Sequence, residues 1–196
     1  MPKPKPDLED KITLAALRLI AGHGWKALTL DAVARAAKIP AAAVRKIFAT
    51  TYDILPAIVH VVTRQTETAL GKPDSRASSH DRLFEVMMTR FDVLQKHRKA
   101  VLVLMAAARG DSKMMYALAQ AQGRAMQDML ALAGLSLSAG PRQQGLAAAA
   151  GLELVYMATL WVWRNDETLD MAKTMAALDR YLRWAGRVAE ILFRKN

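Results

Sequence analysis

The sequence contains no cysteine and few aromatic residues, and both absences restrict what the protein can be. None of the 196 residues is Cys, which excludes disulfide scaffolds, thiolate metal sites and cysteine nucleophiles. Aromatic residues make up only 6% of a chain that is 53% hydrophobic. Much of the apolar content is therefore alanine and leucine, which are strong helix formers. The lack of cysteine is also compatible with the cytoplasm, where we expect the protein to work.

Sequence signals of catalysis and of metal binding are missing as well. The four histidines are not paired at a spacing of three or four residues, and no cluster of His and carboxylates has metal-ligand spacing. Neither a glycine-rich phosphate loop nor a nucleophile elbow is found. We therefore predict a protein that is not an enzyme and that holds no metal and no other cofactor.

The charge balance favours a polyanionic partner. Lys and Arg number 28 against 18 Asp and Glu, a net charge of +10, which suits nucleic acid or an anionic membrane surface. Residues 146–163 are apolar enough to approach membrane-spanning length. They include Glu153, however, and a carboxylate at the centre of a bilayer costs about 2.5–3.5 kcal/mol. We therefore predict a buried helix here and no membrane partner.

Hydrophobic periodicity predicts an all-α fold of about nine helices. Apolar residues of segment 8–21 recur at spacings of three and four, as on one side of a helix. Thr29 is a candidate N-cap for a second helix that ends at Ala37. Pro40 suits the first position of a third helix that ends near Ile47. No stretch alternates between apolar and polar residues for long enough to indicate a strand.

Segment 29–48 (TLDAVARAAKIPAAAVRKIF) is consistent with a helix-turn-helix whose turn lies at Lys38–Ile39. Its apolar positions can pack inward against segment 8–21; they are Val33, Ala36, Ala37, Ile39, Val44 and Ile47. In a helix-turn-helix the second helix lies in the major groove of DNA. Helix hairpins with short turns are also common in all-helical proteins, so the pattern alone leaves plain helix packing open.

The segment from about 11 to 60 resembles the N-terminal domain of TetR-family transcriptional regulators. The matching residues are AALRLIAGHGWKALTLDAVARAAKIPAAAVRKIF, followed by TTYDIL. Gly24–Trp25 ends the first helix as in that family, Thr29 opens the second helix, and Phe48 ends the recognition helix. The resemblance implies a homodimer with a three-helix helix-turn-helix head, residues 1–52, and a helical body for ligand binding and dimerisation, residues 53–196.

The resemblance also implies double-stranded DNA with a palindromic operator as a partner. The expected DNA contacts lie at the start of the second helix, on the recognition helix and just after it: Thr29, Pro40, Ala41, Ala42, Arg45, Lys46, Thr50 and Tyr52. Arg45 and Lys46 can bind phosphate, and Arg45 can also read guanine. The Tyr52 hydroxyl either meets a phosphate or packs against the head.

Methionine is concentrated in the part of the chain that would form the body. Ten of the eleven Met residues follow residue 86. Thioethers adapt to irregular apolar ligands, so these residues either surround an apolar effector or simply fill the core. The candidate pocket residues are Met88, Phe91, Met105, Met115, Met126, Met129, Tyr156 and Trp161. Helices over 141–163 and 169–193 are candidates for a four-helix dimer interface.

Two functions fit the sequence. The first is a DNA-binding transcriptional regulator, expected to be a repressor, that responds to an apolar small molecule. The second is a TetR-fold accessory protein that binds lipid or isoprenoid and does not bind specific DNA sequences. Segment LDMAKTMAALDRYLRWAGRVAEIL resembles the end of ubiquinone-biosynthesis lipid-binding proteins. Ala41, Ala42 and Ala43 keep this second function open, because alanine cannot form a hydrogen bond with a base edge.

Overall fold

All regular structure in the described part of the chain is helical, as predicted. The computed structural model describes residues 7–71, 76–135 and 142–193. Within these ranges there are nine α-helices: α1 Leu8–His23, α2 Leu30–Ala37, α3 Ala41–Ile47, α4 Ile54–Ala69, α5 Ser79–Lys96, α6 Arg98–Ala108, α7 Ser112–Leu132, α8 Arg142–Trp163 and α9 Ala172–Phe193. Single 3₁₀ turns, Trp25–Ala27 and Thr51–Asp53, precede α2 and α4.

The chain forms two compact units, and each unit is built from two separate stretches of the sequence. The first unit comprises residues 1–65 and 93–121, and the second comprises 66–92 and 122–196. By packing, therefore, the first unit contains the three N-terminal helices, most of α4, the last turn of α5, α6 and the start of α7. The functional boundary near residue 52 stays a prediction about which residues meet DNA.

Helix α1 is the centre of the first unit. Ile12, Ala16 and Ile20 lie four residues apart and are fully buried, and α1 packs against both α2 and α6. Alanine on this side of the helix lets neighbouring backbones approach closely. The cluster around α1 also includes Leu28, Val33, Val44, Phe48, Ile54, Leu55, Leu104 and Met114.

Local capping signals account for where the first helices begin and end. Gly24, at φ +84°, ends α1, and its N–H donates to the carbonyl of Ile20. The Thr29 hydroxyl oxygen accepts a hydrogen bond from the N–H of Ala32 at 3.1 Å, which confirms it as the N-cap of α2. Pro40 lies one position earlier than predicted. It is the N-cap of α3, because its ψ of 135° is extended rather than helical.

The second unit packs α8 against α9 and buries aromatic and methionine side chains. The Phe91 ring centroid lies 5.7 Å from that of Tyr156 and 6.5 Å from that of Trp163. Arg90 is buried beside them. Its Nη2 donates to the Gln122 side-chain oxygen at 2.9 Å, and its guanidinium lies 5.4 Å from the Tyr156 ring centroid. The interior of this unit therefore contains a buried guanidinium group among large apolar side chains.

The prediction that α8 is a buried helix is only half right. Segment Gly145–Trp163 has a mean hydropathy of 1.5 and, among the described helices, is long and apolar enough to cross a membrane by length and composition alone. Only 33% of its hydrophobic window is buried. Leu154 is 71% exposed and Trp161 is 56% exposed. The helix buries one side in its own chain, and the other side remains apolar and exposed.

Asp166 joins the end of α8 to the start of α9. One carboxylate oxygen accepts from the N–H and the hydroxyl of Thr168, at 3.1 and 2.6 Å. The other oxygen accepts from the N–H and the hydroxyl of Thr174, at 2.8 and 2.7 Å. Thr174 is in the first turn of α9, so the carboxylate satisfies an N–H that has no partner within the helix. Burial raises the pKa of Asp166, but the combined hydrogen bonds from Thr168 and Thr174 outweigh it and bring the pKa to about 2.

Replacement of Asp166 by Asn is expected to destabilise the protein by about 1–3 kcal/mol at pH 7, since it leaves the Thr174 donors facing an amide. A folded-state pKa depressed from 3.8 to about 2 contributes stability above about pH 4. This contribution is lost as the pH falls from about 4 to about 2. Chemical denaturation followed by helical circular dichroism should therefore show a wild-type advantage that shrinks over this range. Asp92→Asn, at an exposed position of α5, is the control; an equal loss in both variants would contradict the prediction.

Candidate nucleic-acid interface

The turn between α2 and α3 is a Schellman motif with a lysine in the position that glycine usually takes. Lys38 has φ +56° and ψ +46°, the left-handed conformation. The N–H of Ile39 donates to the carbonyl of Ala34 at 3.0 Å, and the N–H of Lys38 donates to that of Arg35 at 3.2 Å. This geometry ends α2 sharply and sets the angle at which α3 leaves. Position 38 bears a Cβ and an exposed ammonium group where glycine would avoid strain.

Helix α3 buries its apolar side and leaves its two basic residues outside. Val44 is fully buried and Phe48, which caps the helix, is 3% exposed. Ala42, Arg45 and Lys46 are exposed. The helix therefore presents Ala42, two cations and part of Ile47 on its exposed side.

The inward packing predicted for the apolar positions of the helix-turn-helix is only partly right. Val33 and Val44 are fully buried, and Ile39 is half-buried in the turn. Ala36 and Ile47, however, are exposed. Helices of eight and seven residues bury a narrow stripe, and these two positions lie outside it.

Arg45 is already in contact with a carboxylate from the preceding helix. Its Nη2 donates to Oδ1 of Asp31 at 2.6 Å, and the two side chains are 55% and 53% exposed. Asp31 lies in the first turn of α2, where a negative charge is favoured by the helix dipole. The sequence identified Arg45 as a DNA contact but gave no sign of this pairing.

The two predicted threonine contacts are engaged in capping. The Thr29 hydroxyl oxygen accepts from the N–H of Ala32. Thr50 donates its N–H and its hydroxyl to Oδ2 of Asp53, at 2.7 and 3.1 Å. Thr50 therefore begins the turn before α4, with a carboxylate beside its hydroxyl. A phosphate contact from either threonine stays a prediction.

Tyr52 packs against the head through both its ring and its hydroxyl. Its ring meets that of Trp25 edge to face at a centroid distance of 5.6 Å, and Nζ of Lys113 lies 4.5 Å from the Tyr52 centroid. The hydroxyl donates to Oδ2 of Asp111 at 2.7 Å. This hydrogen bond raises the pKa of the Tyr52 hydroxyl.

Asp111 is a residue that the sequence reading missed. Its Oδ1 accepts from the N–H of Met114 at 2.9 Å, so it is the N-cap of α7 as well as the partner of Tyr52. The Met114 N–H and then the Tyr52 hydroxyl lower the pKa of this carboxylate. The available sequence signal is an aspartate directly before a helix, a residue type that favours the N-cap position. Asp111 fixes the start of α4 to the start of α7 within the first unit.

The candidate pocket residues are not all brought together. Phe91, Met126, Met129 and Tyr156 are buried in the second unit, where Met88 is half-buried. The remaining three lie elsewhere: Met105 is half-buried in the first unit, Met115 is 55% exposed in the first unit, and Trp161 is 56% exposed on α8.

The N-terminal part of the chain matches a known protein family. Residues 12–58 match the model of the family described as bacterial regulatory proteins, tetR family. This range contains the turn at Lys38, the whole of α3 and the contacts of Thr50 and Tyr52. The N-terminal domain belongs to the TetR family. No curated protein matches the chain by sequence.

Solved structures share the fold beyond the TetR domain. A TetR transcriptional regulator from Nitrosomonas europaea is 20% identical, with a TM-score of 0.69 over 92% of this chain and 98% of that one. A TetR transcriptional regulator from Rhodococcus sp. RHA1 is 16% identical, with a TM-score of 0.61 over 89% and 93%. The fatty acid degradation regulator FadR from Bacillus halodurans is 19% identical, with a TM-score of 0.55 over 92% and 97%. The described helices therefore have the TetR fold.

Tyr52→Phe distinguishes the two interpretations of this hydroxyl in the TetR domain. If the hydroxyl supports packing, the variant loses about 0.5–1.5 kcal/mol of stability because the bond to Asp111 is removed. Thermal unfolding of both proteins without DNA measures this loss. Tyr116→Phe is the control, since Tyr116 is 69% exposed. Unchanged stability together with weaker DNA binding would instead support the phosphate contact.

Lys38→Gly should raise stability and weaken DNA binding at the same time. Glycine removes the strain of a Cβ in the left-handed conformation, but it also raises the conformational entropy of the unfolded chain. We expect a net gain in folding stability of about 0.5–1 kcal/mol. If the exposed ammonium group of Lys38 contacts a phosphate, its loss should reduce the salt slope of DNA binding by about 1. Lys38→Ala is the matched control: it removes the charge, keeps the Cβ and should show no gain in stability. If Lys38→Gly proves no more stable than Lys38→Ala, strain at this position is excluded.

Proposed function

We propose that the protein is a DNA-binding transcriptional regulator that acts in the cytoplasm as a homodimeric repressor on a palindromic operator. The observation that carries this proposal is the exposed side of α3. Arg45 and Lys46 project from a TetR-family helix-turn-helix that is anchored inward by Val33 and Val44, both at 0% exposure. Two cations on an uncovered helix suit the major groove and its flanking phosphates. The net charge of +10 supports the same partner.

The exposed apolar side of α8 and α9 supports the homodimer. Leu154, Met157 and Trp161 on α8 and Trp184 on α9 are between 50% and 71% exposed in the single chain. Burial of each such side chain against a second copy would stabilise the dimer by about 1.5–3 kcal/mol. Since α8 and α9 pack on each other, two copies would form a four-helix interface. A two-fold dimer then places two identical heads on a two-fold symmetric operator.

The second unit supports an apolar effector. Met126, Met129 and Phe91 are fully or almost fully buried there, with Tyr156 beside them. Methionine side chains can rearrange around a ligand because three rotatable bonds and a polarizable sulfur fit irregular shapes. An effector that favours one arrangement of the two heads over another would change the fit to the two half-sites.

The alternative is a TetR-fold protein that binds lipid or isoprenoid without reading DNA sequence. Ala41, Ala42 and Ala43 favour it, since they remove polar groups from the recognition helix. Native mass spectrometry of the purified protein distinguishes it, because such a protein should retain an isoprenoid or acyl ligand. An empty second unit would count against this alternative.

Selection from a random duplex library tests the regulator directly. We expect enrichment of a palindromic motif whose half-sites lie about one helical turn, or a multiple of it, apart. Arg45→Ala with Lys46→Ala should abolish the enrichment and lower affinity, and wild-type affinity should fall steeply as salt rises. Lys96→Ala with Lys99→Ala removes two exposed charges, one from the end of α5 and one from the first turn of α6, and is the matched control.

The outcomes of the selection separate the two functions. An enriched single half-site would retain DNA reading but contradict the homodimer. Salt-sensitive binding without any enriched motif would contradict the regulator and leave the lipid-binding alternative. Loss of the motif in the Lys96 and Lys99 control would show that general charge, and not α3, directs the protein to DNA.

A further inference from the structure

Helix α3 has few side chains that can read a base edge. Three of its seven residues are Ala41, Ala42 and Ala43, and two more are apolar. Alanine contacts the thymine methyl group but neither donates nor accepts a hydrogen bond. Hydrogen-bonded reading from α3 therefore falls to Arg45 and Lys46. Of these, only arginine offers a planar fork that can pair with O6 and N7 of guanine at once.

One nitrogen of the Arg45 guanidinium group, Nη2, is hydrogen-bonded to Asp31. The bond from Nη2 to Oδ1 is 2.6 Å long and connects residues 14 positions apart. The backbone that carries Asp31 is fixed, because α2 is capped by Thr29 at one end and closed by the Schellman motif at the other. The remaining guanidinium donors of Arg45 stay available, since arginine carries five N–H groups.

The ion pair is not what holds α2 against α3. Both side chains are more than half exposed, and exposed pairs contribute little to stability. The two helices are joined by buried Val33 and Val44, which are both 0% exposed. The pair instead changes how Arg45 meets DNA. A neighbouring carboxylate repels a fully charged phosphate strongly and the uncharged acceptors of guanine only weakly, so it disfavours the phosphate contact of Arg45 more than the guanine contact.

We propose that Asp31 is a specificity-determining positioning residue. It orients Arg45 towards a guanine edge in each half-site and disfavours contact between Arg45 and the phosphate backbone. This inference rests on the proposed function as a sequence-reading regulator. It assigns to α2 a part in base selection, through Arg45 and without a base contact of its own.

The test compares duplex-library selection and salt-dependent binding for wild type, Asp31→Ala, Arg45→Ala and the double variant. Asp31→Ala should lower the preference for one G·C pair per half-site by about tenfold. Its affinity for a scrambled duplex should rise several-fold, and its salt slope should steepen by about 1 as Arg45 moves to a phosphate. The double variant should show the same base preference as Arg45→Ala alone.

Asp179→Ala is the matched control. Asp179 also forms an exposed pair with an arginine, Arg183, with Oδ2 2.9 Å from Nε, but it lies on α9. Its removal adds the same charge to the protein and should leave the base preference unchanged. Asp31→Asn keeps the shape of the side chain and removes its charge, and it should show the same steepened salt slope if Asp31→Ala does not fold.

Each outcome decides the inference. A wild-type motif that Asp31→Ala leaves intact, with affinity raised equally for all duplexes, would overturn it and show that Asp31 only reduces the positive field. An enriched motif that is lost in Arg45→Ala but contains no preferred guanine would also overturn the inference. A wild type that enriches no motif would overturn the proposed function and this inference together.

Discussion

The close packing of α1 against α2 and α6 is the contact on which the rest of the head depends. Ile12, Ala16 and Ile20 form a buried stripe with no polar atom, so α2 is held by shape and exclusion of water and not by directional bonds. Because α2 is fixed, the turn at Lys38 can direct α3 outward. A cavity made in this stripe would therefore change the position of α3, although the stripe itself is fully buried.

Polar contacts in this protein refine positions that apolar packing has already set. Asp111 connects the start of α4 to the start of α7, and Asp166 connects the end of α8 to the start of α9. Each carboxylate accepts several hydrogen bonds while ionised, and both pKa values are lowered accordingly. Such groups fix the register of neighbouring helix ends, where the backbone has unsatisfied donors. The exposed pair of Asp31 and Arg45 is different in kind, since it connects two surface side chains at the proposed DNA face.

Alanine in α3 changes what a recognition helix of this family can do. If the protein reads DNA as proposed, a helix without polar side chains in its first turn depends on Arg45 and Lys46 for hydrogen bonds to bases and on methyl groups for contact with thymine. This makes the orientation of Arg45 more consequential than it would be in a helix with several readers. It also explains why the sequence alone left a lipid-binding protein as an alternative.

Sequence periodicity and capping by themselves determined the helical fold, the cap at Thr29 and the place of Arg45 and Lys46 on α3, because each depends on residues a few positions apart. The family of the N-terminal domain was predicted from the resemblance of segment 11–60 to TetR-family regulators, and the match over residues 12–58 confirms it. The sequence did not determine the left-handed Lys38, since glycine is the usual residue there and its absence hid the motif. Nor did it determine the partners of Tyr52 and Arg45, which lie 59 and 14 positions away along the chain. The sequence-based prediction that α8 is buried was only half right, because a uniformly hydrophobic helix does not show which of its sides is buried. Only the tertiary structure decided these points, because contacts between distant residues depend on how the helices pack and not on local spacing.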